Sequence, residues 1–152
     1  MKISRQRLIP FLTESLGIES IHRPPTEPEV DAAERFLSLD HIIIEDVVAL
    51  VGIYAPDAKL RSKLWMDVKV GNWHPMSGGR QIKTGLAEIL ATAYTTTPYT
   101  THVEYETLHP FTDCNGRSGR MIWLWQMLKQ DRLVAGLSFL HSWYYSSLEN
   151  SH

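Results

Sequence analysis

His109-Pro-Phe-Thr-Asp-Cys-Asn-Gly-Arg-Ser-Gly-Arg120 gathers a histidine, a carboxylate, an amide, two glycines and two arginines, and the apolar run Met121-Ile-Trp-Leu-Trp-Gln-Met-Leu128 follows at once. A polar, glycine-bearing stretch that gives way to a helical apolar run marks a loop entering a helix, with Asn115-Gly116 as the turn. The first N–H groups of a helix lack intrahelical acceptors, and the helix dipole adds to their pull on an anion. Arg117 and Arg120, three apart, occupy neighbouring positions of that first turn. Read from the residues alone, the stretch is a cradle for a polyphosphate. Asp113 suits a divalent cation, because Mg²⁺ commonly takes one or two carboxylates together with phosphate oxygens. His109 stands at the entrance, and an ordinary imidazole, with a pKa of ~6.5, is mostly neutral at pH 7 and able to accept a proton. Singly these residue types are more often structural than functional. Their concentration in one loop points to chemistry.

The chain has 152 residues, 43% of them hydrophobic and 21% charged, which fits one ordinary globular domain spanning 1–152. The single cysteine, Cys114, rules out an internal disulfide framework and a cysteine-based zinc site. A net charge of −2 gives no general attraction to nucleic acid or to a membrane surface, so neither is expected as a partner. No run approaches the ~18 apolar residues of a membrane span. The basic N-terminus leads into no signal-peptide core, so a cytoplasmic location is expected.

In chain order the pattern is helical almost throughout. Apolar residues from Ile3 to Leu16 form a stripe interrupted by Pro10, and Gly17 followed by His22-Arg-Pro-Pro25 ends that element. Thr26-Glu-Pro-Glu29 is a capped helix start, predicting a helix to about Leu39. Further helices are expected over 44–54, 81–94, 98–108, 116–130 and 137–148. The exception is 64–74, where Trp65, Met66, Val68 and Val70 are strand formers and Gly71-Asn72 is a turn signal. One short hairpin is predicted there, the only sheet of an otherwise all-α protein.

The motif resembles the signature of the Fic family, His-x-Phe-x-Asp/Glu-Gly-Asn-Gly-Arg-x-x-Arg, and matches its fixed positions except that Cys114 replaces a glycine. The likeness extends to the helices on both sides and to 68–79, which is similar to the family's flap hairpin and the loop after it. The resemblance implies a Fic-type helical bundle whose flap lies near the active site. It implies transfer of AMP from ATP to a hydroxyl side chain of a target protein, with pyrophosphate released. On that likeness His109 deprotonates the hydroxyl and Asp113 holds Mg²⁺ or Mn²⁺. Asn115, Gly116, Arg117 and Gly119 line the nucleotide site, Arg120 takes the γ-phosphate, and Phe111 anchors the loop. Val68, Lys69, Val70, Gly71 and Asn72 would hold the target by strand-like pairing. A second copy of the chain is a further candidate partner.

Within 1–25, Ser15-Leu-Gly-Ile-Glu19-Ser20 is similar to the family's inhibitory Ser/Thr-x-x-x-Glu-Gly/Asn helix, with Ser20 where Gly or Asn is usual. A glutamate on Arg120 would take the partner that the γ-phosphate needs, so Ser15 and Glu19 are expected to restrain the site. The C-terminal candidate is poorer, because Tyr145 stands at the Ser/Thr position before Glu149. Other readings compete. Glu106-x-x-His109 and Glu19-x-x-His22 have the spacing of di-iron bundles. The same site could instead remove AMP or transfer another phosphate-linked group. Cys114 could also mark an impaired binding module. Retention of both Arg117 and Arg120 favours AMP transfer. Cys114 is expected to be tolerated, at a cost of about 1–2 kcal/mol if its φ is positive.

Overall fold

A computed structural model describes residues 2–130, and within them the protein is all-helical, with six helices and no strand. These are α1 (Arg5–Ile18), α2 (Glu27–Leu37), α3 (Ile44–Tyr54), α4 (Arg80–Thr92), α5 (Pro98–Leu108) and α6 (Asn115–Lys129). The helix expected over 137–148, with His141, Trp143 and the alternative Glu149 motif, lies outside the described residues. Among those described, no helix is long and apolar enough to cross a membrane.

The central element is α6. Met121, Ile122, Trp123, Leu124, Trp125 and Leu128 are all buried, so the helix is apolar on every side and must be surrounded. It packs against α1, α2, α3 and α5. Its polar residues are anchored in the same interior. Trp125 Nε1 donates to the Leu39 carbonyl at 2.8 Å, and Gln126 Nε2 donates to the Ala93 carbonyl at 2.6 Å.

Local caps set the other elements. Ser4 caps α1, whose Leu8, Phe11, Leu12 and Leu16 are buried. This helix runs through Gly17 and stops only where Ser20 turns left-handed at φ 61°. There the Ile21 N–H returns to the Leu16 carbonyl at 3.0 Å. Thr26 and Glu29 form the capping box of α2, which ends at Leu37, two residues short of expectation. Thr97 caps α5 with Pro98 in its first turn.

The hairpin expected over 64–74 contracts to a single bridge, Val70 to Trp73, closed by reciprocal bonds of 2.8 and 2.9 Å around Gly71 at φ 59°. The next hydrogen-bonded pair out would set Val68 against Pro75, which has no N–H to give. The carbonyls of Met66 and Met76 are taken by Arg61, and the Gly78 N–H by Asp67. Leu64 and Trp65 stay 81% and 74% exposed, so their strand propensity finds no second layer to bury against. Extended pairing forms elsewhere. Leu60 bridges Phe111, with Arg61 N–H donating to Pro110 and Thr112 N–H to Lys59, each at 2.9 Å.

Candidate active site

The loop from α5 to α6 is fixed from both ends by its backbone. His109 closes α5 in the left-handed region at φ 51°, its N–H donating to the Tyr105 carbonyl at 2.9 Å. Phe111 is 1% exposed and Asn115 clamps it: the Phe111 N–H donates to Oδ1 at 2.9 Å, and Nδ2 donates to the Phe111 carbonyl at 2.8 Å. Both ends of the Asn115 amide therefore shape the loop, and the residue lies inside α6. The reversal expected at Asn115-Gly116 is made one residue earlier, by Cys114 at φ 71°.

Cys114 is 4% exposed, and burial raises its thiol to about 11, with the Arg117 charge opposing; at neutral pH it is a protonated core group. Its left-handed backbone costs about 1–2 kcal/mol, a strain that glycine would relieve. Glycine would also forfeit the buried side chain, worth roughly 1 kcal/mol. Cys114→Gly is therefore expected to leave unfolding stability within about 1 kcal/mol of wild type. Because the thiol is buried, turnover should also hold within a few fold. Denaturant unfolding and turnover measured on the same preparation check both.

The imidazole of His109 is half-buried, edge-on to Trp73 with ring centroids 6.3 Å apart. Burial is the main cause of its pKa falling below the ordinary value of 6.5; the Glu106 carbonyl opposes, and the Arg61 charge adds to the fall. The ring is thus a neutral acceptor at pH 7. Asp113 is exposed and uses Oδ1 to receive the Cys114 N–H at 2.7 Å. It shares a cleft of about 380 Å³ with Arg117, Arg23, Tyr54 and Thr112. Arg117 is 8% exposed and donates from Nη1 to the Tyr54 carbonyl at 3.1 Å.

Arg120 is fully buried and reaches the end of α1. Nε donates to Ser15 Oγ at 2.7 Å, and Nη2 donates to the Ser15 carbonyl at 3.0 Å and to Glu19 Oε1 at 2.8 Å. A methyl group on Gly116 would stand 2.3 Å from Glu19 Oε1 and 3.0 Å from Arg120 Nη1. The Glu19 carboxylate thus lies over the first turn of α6, where the helix dipole favours an anion. Gly119 faces the other way. A side chain there would clash with Glu106 Oε1, so this glycine lets α5 approach α6. Burial raises the Glu106 carboxyl to about 8, with Arg120 opposing, and leaves it uncharged at neutral pH. Glu19 is the carboxylate that pairs with Arg120.

Ser20, the left-handed residue that ends α1, stands where a glycine or asparagine costs least. Ser20→Gly should relieve about 1–2 kcal/mol of backbone strain and give back roughly 0.4–1 in unfolded-chain entropy. The expected result is a melting temperature up to about 4 °C higher. Thermal unfolding measures it, and a fall would contradict the cap.

Of the residues singled out in the sequence, the fold brings His109, Asp113, Gly116, Arg117, Arg120, Ser15 and Glu19 around the two ends of one loop. Lys69, Val70, Gly71 and Asn72 are exposed on the Val70–Trp73 turn, with Val68 half-buried beside them. Trp73 connects that turn to His109. Sequence patterning missed Arg61, whose neighbours Lys59-Leu and Ser-Lys63 carry no signature. Its Nε donates to the His109 carbonyl at 2.7 Å. The di-iron spacing has no counterpart among the described residues, where no three His, Cys, Asp or Glu side chains gather as metal ligands. No protein-family model matches the chain, and no curated protein matches it.

Proposed function

We propose that the chain is a Fic-type protein adenylyltransferase whose own Glu19 restrains it. The observation that carries this reading is the Glu19 carboxylate, lodged on Arg120 and over Gly116 where a phosphate would meet both. An anion site already filled by an anion of the same chain accounts for a buried arginine, a bare helix start and a near-neutral histidine together.

In this reading ATP lays its polyphosphate along the first turn of α6, with Arg117 and Arg120 as counter-charges. His109 takes the proton of a target hydroxyl. The hydroxyl oxygen bonds to the α-phosphorus, the bond from that phosphorus to the bridging oxygen breaks, and pyrophosphate leaves with the electron pair. Asp113 fits a Mg²⁺ or Mn²⁺ ion, since it is exposed and spends only one oxygen on the loop; a bound ion would neutralise phosphate charge there. The chemistry asks the protein for placement and charge stabilisation more than for covalent participation. The exposed turn at 70–73 would supply main-chain groups to an extended target segment.

The position of a radiolabel decides the reaction. Label at the α-phosphate of ATP should enter protein and label at the γ-phosphate should not. Incorporation of the γ-label would make the chain a kinase. ATP binding without incorporation of either label would make it a binding module.

A further inference from the structure

Arg61 is a buried charge beside the site that the proposed chemistry does not use. Its side chain is fully buried, and among the described residues no carboxylate lies within ion-pair distance of it. Its partners are carbonyls. Nε donates to His109 at 2.7 Å and Nη2 to Leu108 at 3.0 Å, while Nη1 donates to Met76 at 2.8 Å and Met66 at 3.2 Å. The first two are carbonyls at the C-terminal end of α5, whose dipole offers a partial negative charge. The other two flank the segment that carries the Val70–Trp73 turn. Its backbone belongs to the same joint, with the Arg61 N–H on Pro110 and the Gly79 N–H on the Arg61 carbonyl, both at 2.9 Å.

From this geometry we infer that Arg61 is a positioning residue that locks the flap to the catalytic histidine. The inference rests on the adenylyltransferase reading. His109 sits in a left-handed conformation that a non-glycine residue adopts only when its surroundings over-determine it. Tyr105 holds its N–H and Arg61 holds its carbonyl. The same guanidinium fixes both ends of the flap, so a hydroxyl delivered by main-chain pairing at 70–73 arrives at a set distance from the imidazole. Only a planar fork of five donors can serve four carbonyls on two segments; a lysine ammonium has three donors and no fixed plane. Arg61 has no hydrogen bond to the first turn of α6, to Arg117 or to Arg120, so nucleotide binding should be insensitive to it. A misplacement of about 1 Å can cost ~10²-fold in turnover.

The test measures two variants in a Glu19→Gly parent, first shown to transfer AMP. Arg61→Lys loosens the joint from its centre. Gly78→Ala loosens it from the flap side, because a methyl there would stand 2.7 Å from the Met66 carbonyl that Arg61 holds. Both should lower kcat for target labelling by roughly 10- to 100-fold. Affinity for a non-hydrolysable ATP analogue, measured by calorimetry, should stay within about threefold of the parent. Turnover like the parent's, or ATP affinity falling in step with turnover, would overturn the inference and leave Arg61 structural. If Arg61→Lys does not fold, Gly78→Ala decides alone. A parent that transfers no AMP removes the functional reading and this inference with it, whereas an active parent with indifferent variants removes only this inference.

Discussion

Glu19→Gly is expected to raise incorporation of α-labelled AMP roughly tenfold to a hundredfold over wild type. Arg120 is fully buried, and the carboxylate bonded to its Nη2 at 2.8 Å is charge-assisted. With Glu19 gone, the charge-assisted bond that Arg120 can make to the terminal phosphate contributes about 1.5–3 kcal/mol, which at ~1.4 kcal/mol per decade sets the range. In the proposed reading, ATP displaces this carboxylate before its terminal phosphate can reach Arg120. The glycine variant removes the competitor and leaves the Ser15 oxygens on Nε and Nη2. Glu19 is 37% exposed, so solvent screens the pair and the loss of fold stability should stay below about 1 kcal/mol. The remainder of α1 is not a removable lid: Leu8, Phe11, Leu12 and Leu16 are at most 3% exposed. In the proposed reading, relief of inhibition would therefore involve the 19–21 corner and not dissociation of the helix. Labelling that stays at the wild-type level, with intact folding, would mean that the carboxylate on Arg120 restrains nothing.

The contact between Glu19 and Arg120 was expected only from the resemblance of their two motifs to those of the Fic family; spacing alone does not join residues a hundred positions apart. The helices were legible in the residues themselves. Thr26 with Glu29, Pro98 after Thr97, and the apolar run after Arg120 are local signals, and tertiary packing did not override them. What escaped was the choice of partner for backbone groups, whether that partner is near or far along the chain. Whether 64–74 forms a ladder depends on Pro75 facing Val68, and on Arg61 claiming the carbonyls of Met66 and Met76. The pairing of 59–61 with 110–112 joins segments about fifty residues apart, and neither carries an alternating pattern. Asn115-Gly116 is ordinary turn sequence, yet here Asn115 is spent on Phe111 and the reversal falls on Cys114. Gly119 matched the motif and turned out to serve helix packing against Glu106. Helical patterning was readable, whereas the allocation of backbone groups among competing partners was not.

His109→Ala is expected to abolish most turnover, by about 10²–10⁴-fold, while leaving ATP binding within a few fold. The imidazole lies against Trp73 and the Glu106 carbonyl of α5, and the guanidinium groups that would hold phosphate are anchored independently on Tyr54 and Ser15. The variant therefore separates proton acceptance from nucleotide capture. It is best measured alongside Glu19→Gly, so that the loss is read against an open site. The pH profile gives a second readout. A general base works in its neutral form, and burial holds this imidazole below 6.5, so turnover should be flat through neutral pH and fall only as acid protonates the ring. The acid limb must lie below pH 6.5 in the Glu19→Gly background and vanish in the double variant's residual rate. Retained turnover in His109→Ala would remove the histidine from the chemistry. Loss of ATP binding in the same variant would show instead that the ring supports the cradle, and the assignment of acceptor and anion site to separate groups would fail.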